Sequence, residues 1–180
     1  MIPILYAAGE RDFSHNGIGL LRDMLSCEVT EERNGIFEVI FTYPVSGQFY
    51  EYLEDEAIIK AVPNETSQPQ FFRLYKSSKP INGVVTWSGE HISYLLNANP
   101  IPSFSVKSGS AGYAINKALK EATFEHDFSA WSDIDTLNST NIEEPVSVRS
   151  VLGGTAGSVL DVWGGEYEFN NFIVTKRLSR

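Results

Sequence analysis

Residues 27–50 read "CEVTEERNGIFEVIFTYPVSGQFY". Apolar and polar residues alternate on both sides of Asn34-Gly35, a dipeptide that closes tight hairpin turns because both residues tolerate positive φ. Two registers are open. A two-residue loop places Glu31 opposite Glu38, a like-charge pair that costs stability. A three-residue loop, Arg33-Asn34-Gly35 with Gly35 left-handed and forming a bulge, pairs Val29 with Val39 and Cys27 with Phe41. It gathers Cys27, Val29, Phe37, Val39 and Phe41 on one face and Glu28, Thr30, Glu32 and Glu38 on the other. A one-residue slip would break this segregation, so the second register is preferred.

Outward from the hairpin, residues 1–98 are β-rich. "IPILYAA", "CEVTEER", "IFEVIFTY", "AIIKAV", "QFFRLY" and "GVVTW" are short apolar or alternating runs separated by Pro, Gly, Asn and Ser clusters. Strands of that length with hairpin connections favour a barrel or sandwich. Beyond the Pro100 to Pro102 segment the texture changes. Ser110 can cap a helix whose Ala111, Ala114, Ile115, Ala118, Leu119 and Ala122 form one apolar stripe, with Lys117, Lys120 and Glu121 toward water. A second helical stretch, "SVRSVLGGTAGSVLDVWG", carries Gly153, Gly154 and Gly157, which predict a break into two short pieces. In "GEYEFNNFIVTKRL", Asn170-Asn171 can take the positive-φ positions of a tight turn, pairing Phe169 with Phe172 and Tyr167 with Val174. The fold class expected is α+β: a β-barrel-like domain over 1–98 and a smaller α/β domain over 99–180.

Composition narrows the function classes. The 180 residues are 42% hydrophobic and 12% aromatic, enough for an ordinary core. With 23 acidic against 14 basic residues the formal charge is −9, which argues against a protein that grips phosphate backbones with Lys and Arg. No run of apolar residues is long enough for a membrane span, and "MIPILYAAGERDF" lacks the basic start and apolar core of a signal peptide, so synthesis in the cytoplasm is expected. Cys27 is the only cysteine. It excludes an internal disulfide and, alternating with Val29, reads as a small buried hydrophobe.

Groups capable of chemistry are scattered. "GEHISYL" sets Glu90 beside His91, but no second histidine stands four residues away, so the helical zinc-protease pattern is missing. His91 reads as a strand or turn residue with an ordinary partner. "EHDF" groups Glu125, His126 and Asp127, three neighbours that cannot all converge on one ion, and reads as a solvated loop. "FSHNG" places Ser14 next to His15, where adjacent side chains are badly placed for proton transfer, and no Gly-x-Ser-x-Gly elbow occurs. "LGGTAGSV" lacks the lysine of a phosphate loop and reads as a helix junction. No catalytic set, metal site or cofactor site is expected.

The order of these features resembles a known family. "CEVTEERNGIFEVIFTYPVSGQFYEYLEDEAIIKAV", followed by "QFFRLYKSSKPINGVVTWSGEHISYLL", is similar to the N-terminal region of phage minor structural proteins. These are the tail-associated hub proteins of siphophages and prophages of Gram-positive hosts, also called prophage endopeptidase tail proteins. The likeness runs over roughly residues 20 to 96 through the "VTEE" to "NG" hairpin, the "YP" after its second strand, "AIIKAV", "QFFRLY" and the "H" and "Y" of "GEHISYLL". Later, "GSAGYAINKAL" and "GGEYEFNNFIV" are similar to the family's inserted domain.

The resemblance implies a fold like that of contractile-tail baseplate hubs, with β-barrel domains and an inserted α/β domain. It also implies assembly of the full-length protein as a trimeric ring that closes the tail tube beneath the distal tail ring protein. The chain stops at "TKRLSR", where family members continue, so a fragment of a longer hub protein is expected. On this reading the chain is a non-enzymatic virion component of the tail tip, made in the host cytoplasm. Its partners are itself, the distal tail ring and other tail-tip proteins, while DNA passes by without specific binding. Longer members carry wall-degrading or host-binding domains. The alternatives are a peptidoglycan endopeptidase and a wall-carbohydrate-binding module using Trp87, Trp131, Trp163 or the Tyr50 and Tyr52 region. The candidate assembly surface is Glu28, Glu32, Glu38, Tyr43, Gln48 and Tyr50.

Overall fold

A computed structural model describes residues 1–178, so the last two residues of the closing "TKRLSR" lie outside it. The chain divides into two compact units, Met1–Ile92 and Ser93–Arg180. The architecture is α+β, mostly strands with few helices.

The first unit is one antiparallel sheet of seven strands. In chain order these are β1 (Ile4–Tyr6), β2 (Gly19–Leu20), β3 (Ser26–Glu31), β4 (Phe37–Pro44), β5 (Ile58–Ala61), β6 (Gln70–Ser77) and β7 (Val84–His91). Their spatial order is β2-β1-β5-β6-β7-β4-β3. The sheet curls into a half-barrel and stays open, with β2 and β3 as its edges, where a barrel or sandwich was expected. A register shift between Leu74 and Lys76 leaves Tyr75 as an extra residue against β7, and such a bulge increases local twist and bend. Strand β4 shows why the hairpin folds as it does: Phe37, Val39, Phe41 and Tyr43 are buried at alternate positions. On the same side, a Cβ added to Gly89 would stand 3.1 Å from the side chains of Leu74 and Val39, so a larger residue there would require these side chains to shift by a few tenths of an ångström.

The hairpin has the preferred register, with Val29 opposite Val39 and Cys27 opposite Phe41. Two details differ. The left-handed residue is Asn34, at φ 54, while Gly35 donates its N–H to Glu32 O at 3.0 Å. The turn therefore needs positive φ one residue earlier than Gly35, and Asn tolerates that region better than most side chains. Cys27 is exposed; β3 is an edge strand with β4 as its one neighbour in the sheet, so its side chains are flanked from one side only.

The second unit contains β8 (Pro100–Ile101), β9 (Phe104–Gly109), α1 (Ala111–Lys120), β10 (Ser129–Ser132), β11 (Asn138–Ile142), β12 (Val146–Ser147), α2 (Val148–Leu152), α3 (Val159–Trp163), β13 (Glu166–Asn170) and β14 (Ile173–Arg177). Ser110 caps α1 by accepting the N–H of Tyr113, and Ala111, Ala114, Ile115, Ala118 and Leu119 are buried, as the apolar stripe predicts. Serines also cap the other two helices: Ser147 accepts from Ser150 N and Ser158 from Asp161 N. The glycine-rich stretch does break the helix, and Gly157 sits at φ 78 in the gap.

The closing hairpin differs from its expected register. Phe169 pairs with Val174 and Tyr167 with Lys176, and the turn falls on Asn171 and Phe172 with Asn171 at φ 52. Asn170 remains in the ladder opposite Ile173. A shift of two keeps every side chain on its face, so Val174 stays buried. It also brings the fully buried Lys176 amine 4.1 Å from the centre of the Tyr167 ring.

Candidate assembly surface

The surface is built on β3 and β4. Ser26, Glu28 and Thr30 lie opposite Thr42, Ile40 and Glu38 on the face away from the buried row. Glu28 and Glu32 are exposed, Glu38 is half-buried and Ile40 is 50% exposed. Glu38 also lies opposite Glu90 of β7. That carboxylate is neutralised by Arg73 Nη2 at 2.5 Å, and the other end of the Arg73 fork reaches Glu56 at 3.5 Å. The like-charge contact across β4 and β7 is relieved by a cation one strand further along.

At the other end of β4 the chain enters "PVSGQFY". Its shape depends on Tyr43, which is fully buried and so is corrected from a surface residue to a core residue. The Tyr43 hydroxyl accepts the Phe49 N–H at 3.2 Å and donates to Asp23 Oδ2 at 3.4 Å. Asp23 Oδ2 also accepts the Gln48 N–H at 2.8 Å. Burial, followed by the nearby Asp23 charge, pushes the Tyr43 phenol up against the lowering effect of the Phe49 N–H. Asp23 was absent from the sequence expectation, since nothing local links it to a loop 25 residues away. Gln48 is exposed and Tyr50 half-buried. Glu32 and Glu38 stand near the turn end of the hairpin and Gln48 and Tyr50 beyond Pro44, roughly 20 Å along a strand of this length. The candidate residues therefore form two patches.

Each histidine is held by contacts within the fold. His91 is fully buried, stacks on Phe37 at 4.3 Å and pairs through Nε2 with Gln70 Oε1 at 3.1 Å. His15 accepts the Gly17 N–H on Nδ1 at 2.9 Å, leaving Nε2–H for Glu10 at 3.2 Å. His126, read as part of a solvated loop, is half-buried. It accepts the Phe128 N–H on Nδ1 and donates from Nε2 to Leu119 O at 2.9 Å, satisfying a carbonyl in the last turn of α1. In the glycine-rich junction the Gly157 N–H is taken by the chain's own Asp161 carboxylate at 2.8 Å. Among the described residues no three His, Cys, Asp or Glu side chains are grouped to hold a metal ion. No helix there is long and apolar enough to cross a membrane.

No family model matches the sequence, and no curated protein sequence matches it. The fold, however, is similar to the crystal structure of prophage tail protein gp18 from Listeria monocytogenes EGD-e, at a TM-score of 0.69 and 15% identity. The likeness covers 99% of this chain and 51% of that protein, so the chain spans about half the length of its structural neighbour.

Proposed function

We propose that the chain is a structural component of a phage or prophage tail tip. It forms part of the baseplate hub that closes the tail tube and connects it to the parts that contact the host. The observation that carries this reading is the shared fold over 99% of the chain with a prophage tail protein. The hub position, the inserted character of the second domain, the trimeric ring and contact with a distal tail ring protein extend it along the sequence resemblance. In this reading the sheet is a scaffold and its exposed hairpin face is used in assembly. A test that separates scaffold from wall-degrading enzyme is release of soluble fragments from purified Gram-positive cell walls, with and without added zinc. A scaffold releases no more than its heat-denatured control, whereas release above that control overturns the reading.

A wall-carbohydrate-binding module retains the exposed aromatics of its candidate set, Trp131 and Tyr52, the latter 54% exposed. Trp87 and Trp163 are buried, but Trp131 is 55% exposed and lies opposite Thr175 on the sheet of β10, β14 and β13. Glycan-array binding that disappears on Trp131→Ala would favour that module over the scaffold.

A further inference from the structure

The first unit's sheet has two edges of unlike length. Strand β2 is two residues long, short enough to discourage pairing with another chain. Strand β3 runs six residues in continuous register with β4 and contains neither proline nor lysine; its guards are the carboxylates Glu28 and Glu31, which repel an acidic strand but not a basic one. Glu32 donates its N–H to Ile36 O at 2.8 Å. Bonded and non-bonded pairs alternate along an antiparallel ladder, so Thr30 and Glu28 bond inward to β4. The N–H and C=O groups of Cys27 and Val29 point out of the sheet.

This open edge has two faces. Glu28, Thr30 and Glu32 share one, while Cys27 and Val29 share the other with Phe41 and Val39. Glu31 joins the second face next to the turn, which carries Arg33. A second copy laid against this edge would bring two acidic strands side by side, which is unfavourable. We propose that the β3 edge takes, by strand addition, an extended segment of another protein in which lysine or arginine alternates with apolar residues. The backbone bonds are made by Cys27 and Val29, the apolar side chains continue the Cys27 and Val29 face, and the basic ones lie beside Glu28 and Glu32. This inference rests on reading the chain as an assembly protein and adds the chemistry of its partner.

The test is a fluorescently labelled eight-residue peptide alternating lysine with valine, titrated into the full chain at low salt. The expected result is saturable one-to-one binding, with amide shift changes centred on Ser26–Glu31. Methylating alternate backbone nitrogens of the peptide blocks strand addition without altering the protein, and weakens binding at least about tenfold. Replacing Glu28→Lys and Glu32→Lys together loses the lysine peptide and gains one alternating glutamate with valine. The proposal is overturned by absent binding, by shifts elsewhere, by a methylated peptide that binds as well as its parent, or by self-association through β3. Such a failure would leave the tail assignment standing, because that assignment is decided by wall release and by the chain's place in the particle.

Discussion

Lys176 is the residue whose energetics are least comfortable. Its amine is fully buried with no hydrogen-bond partner among the described residues, and it lies over the Tyr167 ring. Burial pulls its pKa down from 10.5 to about 8. The unfolded chain therefore holds this proton more tightly than the folded one. The resulting penalty is complete below pH 8 and is relieved as pH rises from about 8 toward 10.5. The expected outcome is an unfolding midpoint that rises between pH 8 and 9.5 in the wild type and is flatter in Lys176→Met. At pH 7 that variant should be more stable by about 1–3 kcal/mol, the usual cost of an unsatisfied buried polar group. Nearer pH 10 the trend reverses, because the phenols of Tyr6, Tyr43 and Tyr167 have raised pKa values in the folded chain and resist ionisation there. A midpoint independent of pH from 8 to 9.5 would mean that the amine is solvated.

At the scale of single elements, local chemistry explains most of the structure and its exceptions have local causes. The Ser110 cap and the alanine-rich stripe of α1 were legible because both are periodic features confined to ten residues or so. Strand β4 was legible from its period of two. The closing turn was misplaced by one residue, and the pairing across it by two, because Asn170 and Asn171 are equally suited to positive φ, and burial of Lys176 beneath Tyr167 could not be read from a strand ending in "VTKR". Removing the Ser110 cap by Ser110→Ala should cost about 1 kcal/mol in denaturant unfolding, with Ser110→Asp near neutral. Asp23→Ala should speed amide exchange at Gln48 while sparing β4, since Asp23 accepts that N–H directly. Unchanged exchange at Gln48 would show that the loop is held by Tyr43 and Phe49 alone.

Across the whole molecule, the six principal strands of the first unit were visible in the sequence, but their order in space was not. Placing β1 beside β5 and leaving β3 at an edge depends on pairings between residues some fifty positions apart, such as Leu5 with Ile59. The exposed cysteine lies on that edge strand. For the candidate surface, the acidic row was legible from alternation, whereas the Asp23 tie and the burial of Tyr43 were not. Net charge carries a further expectation at this scale. At −9 the chain should show no measurable affinity for double-stranded DNA in gel-shift assays at low salt, because it has few clustered cations with which to release counterions. An acidic hub wall would let DNA pass without adhering, and a basic surface along the channel of an assembled hub would contradict that.

The most direct test of the central claim is to locate the chain in the particle by cryo-electron microscopy of tails from the strain that encodes it. The account predicts density at the distal end of the tail tube that accommodates the curled seven-stranded sheet and disappears when the gene is deleted. Tails that lack the chain, or that carry it only away from the tip, would contradict it.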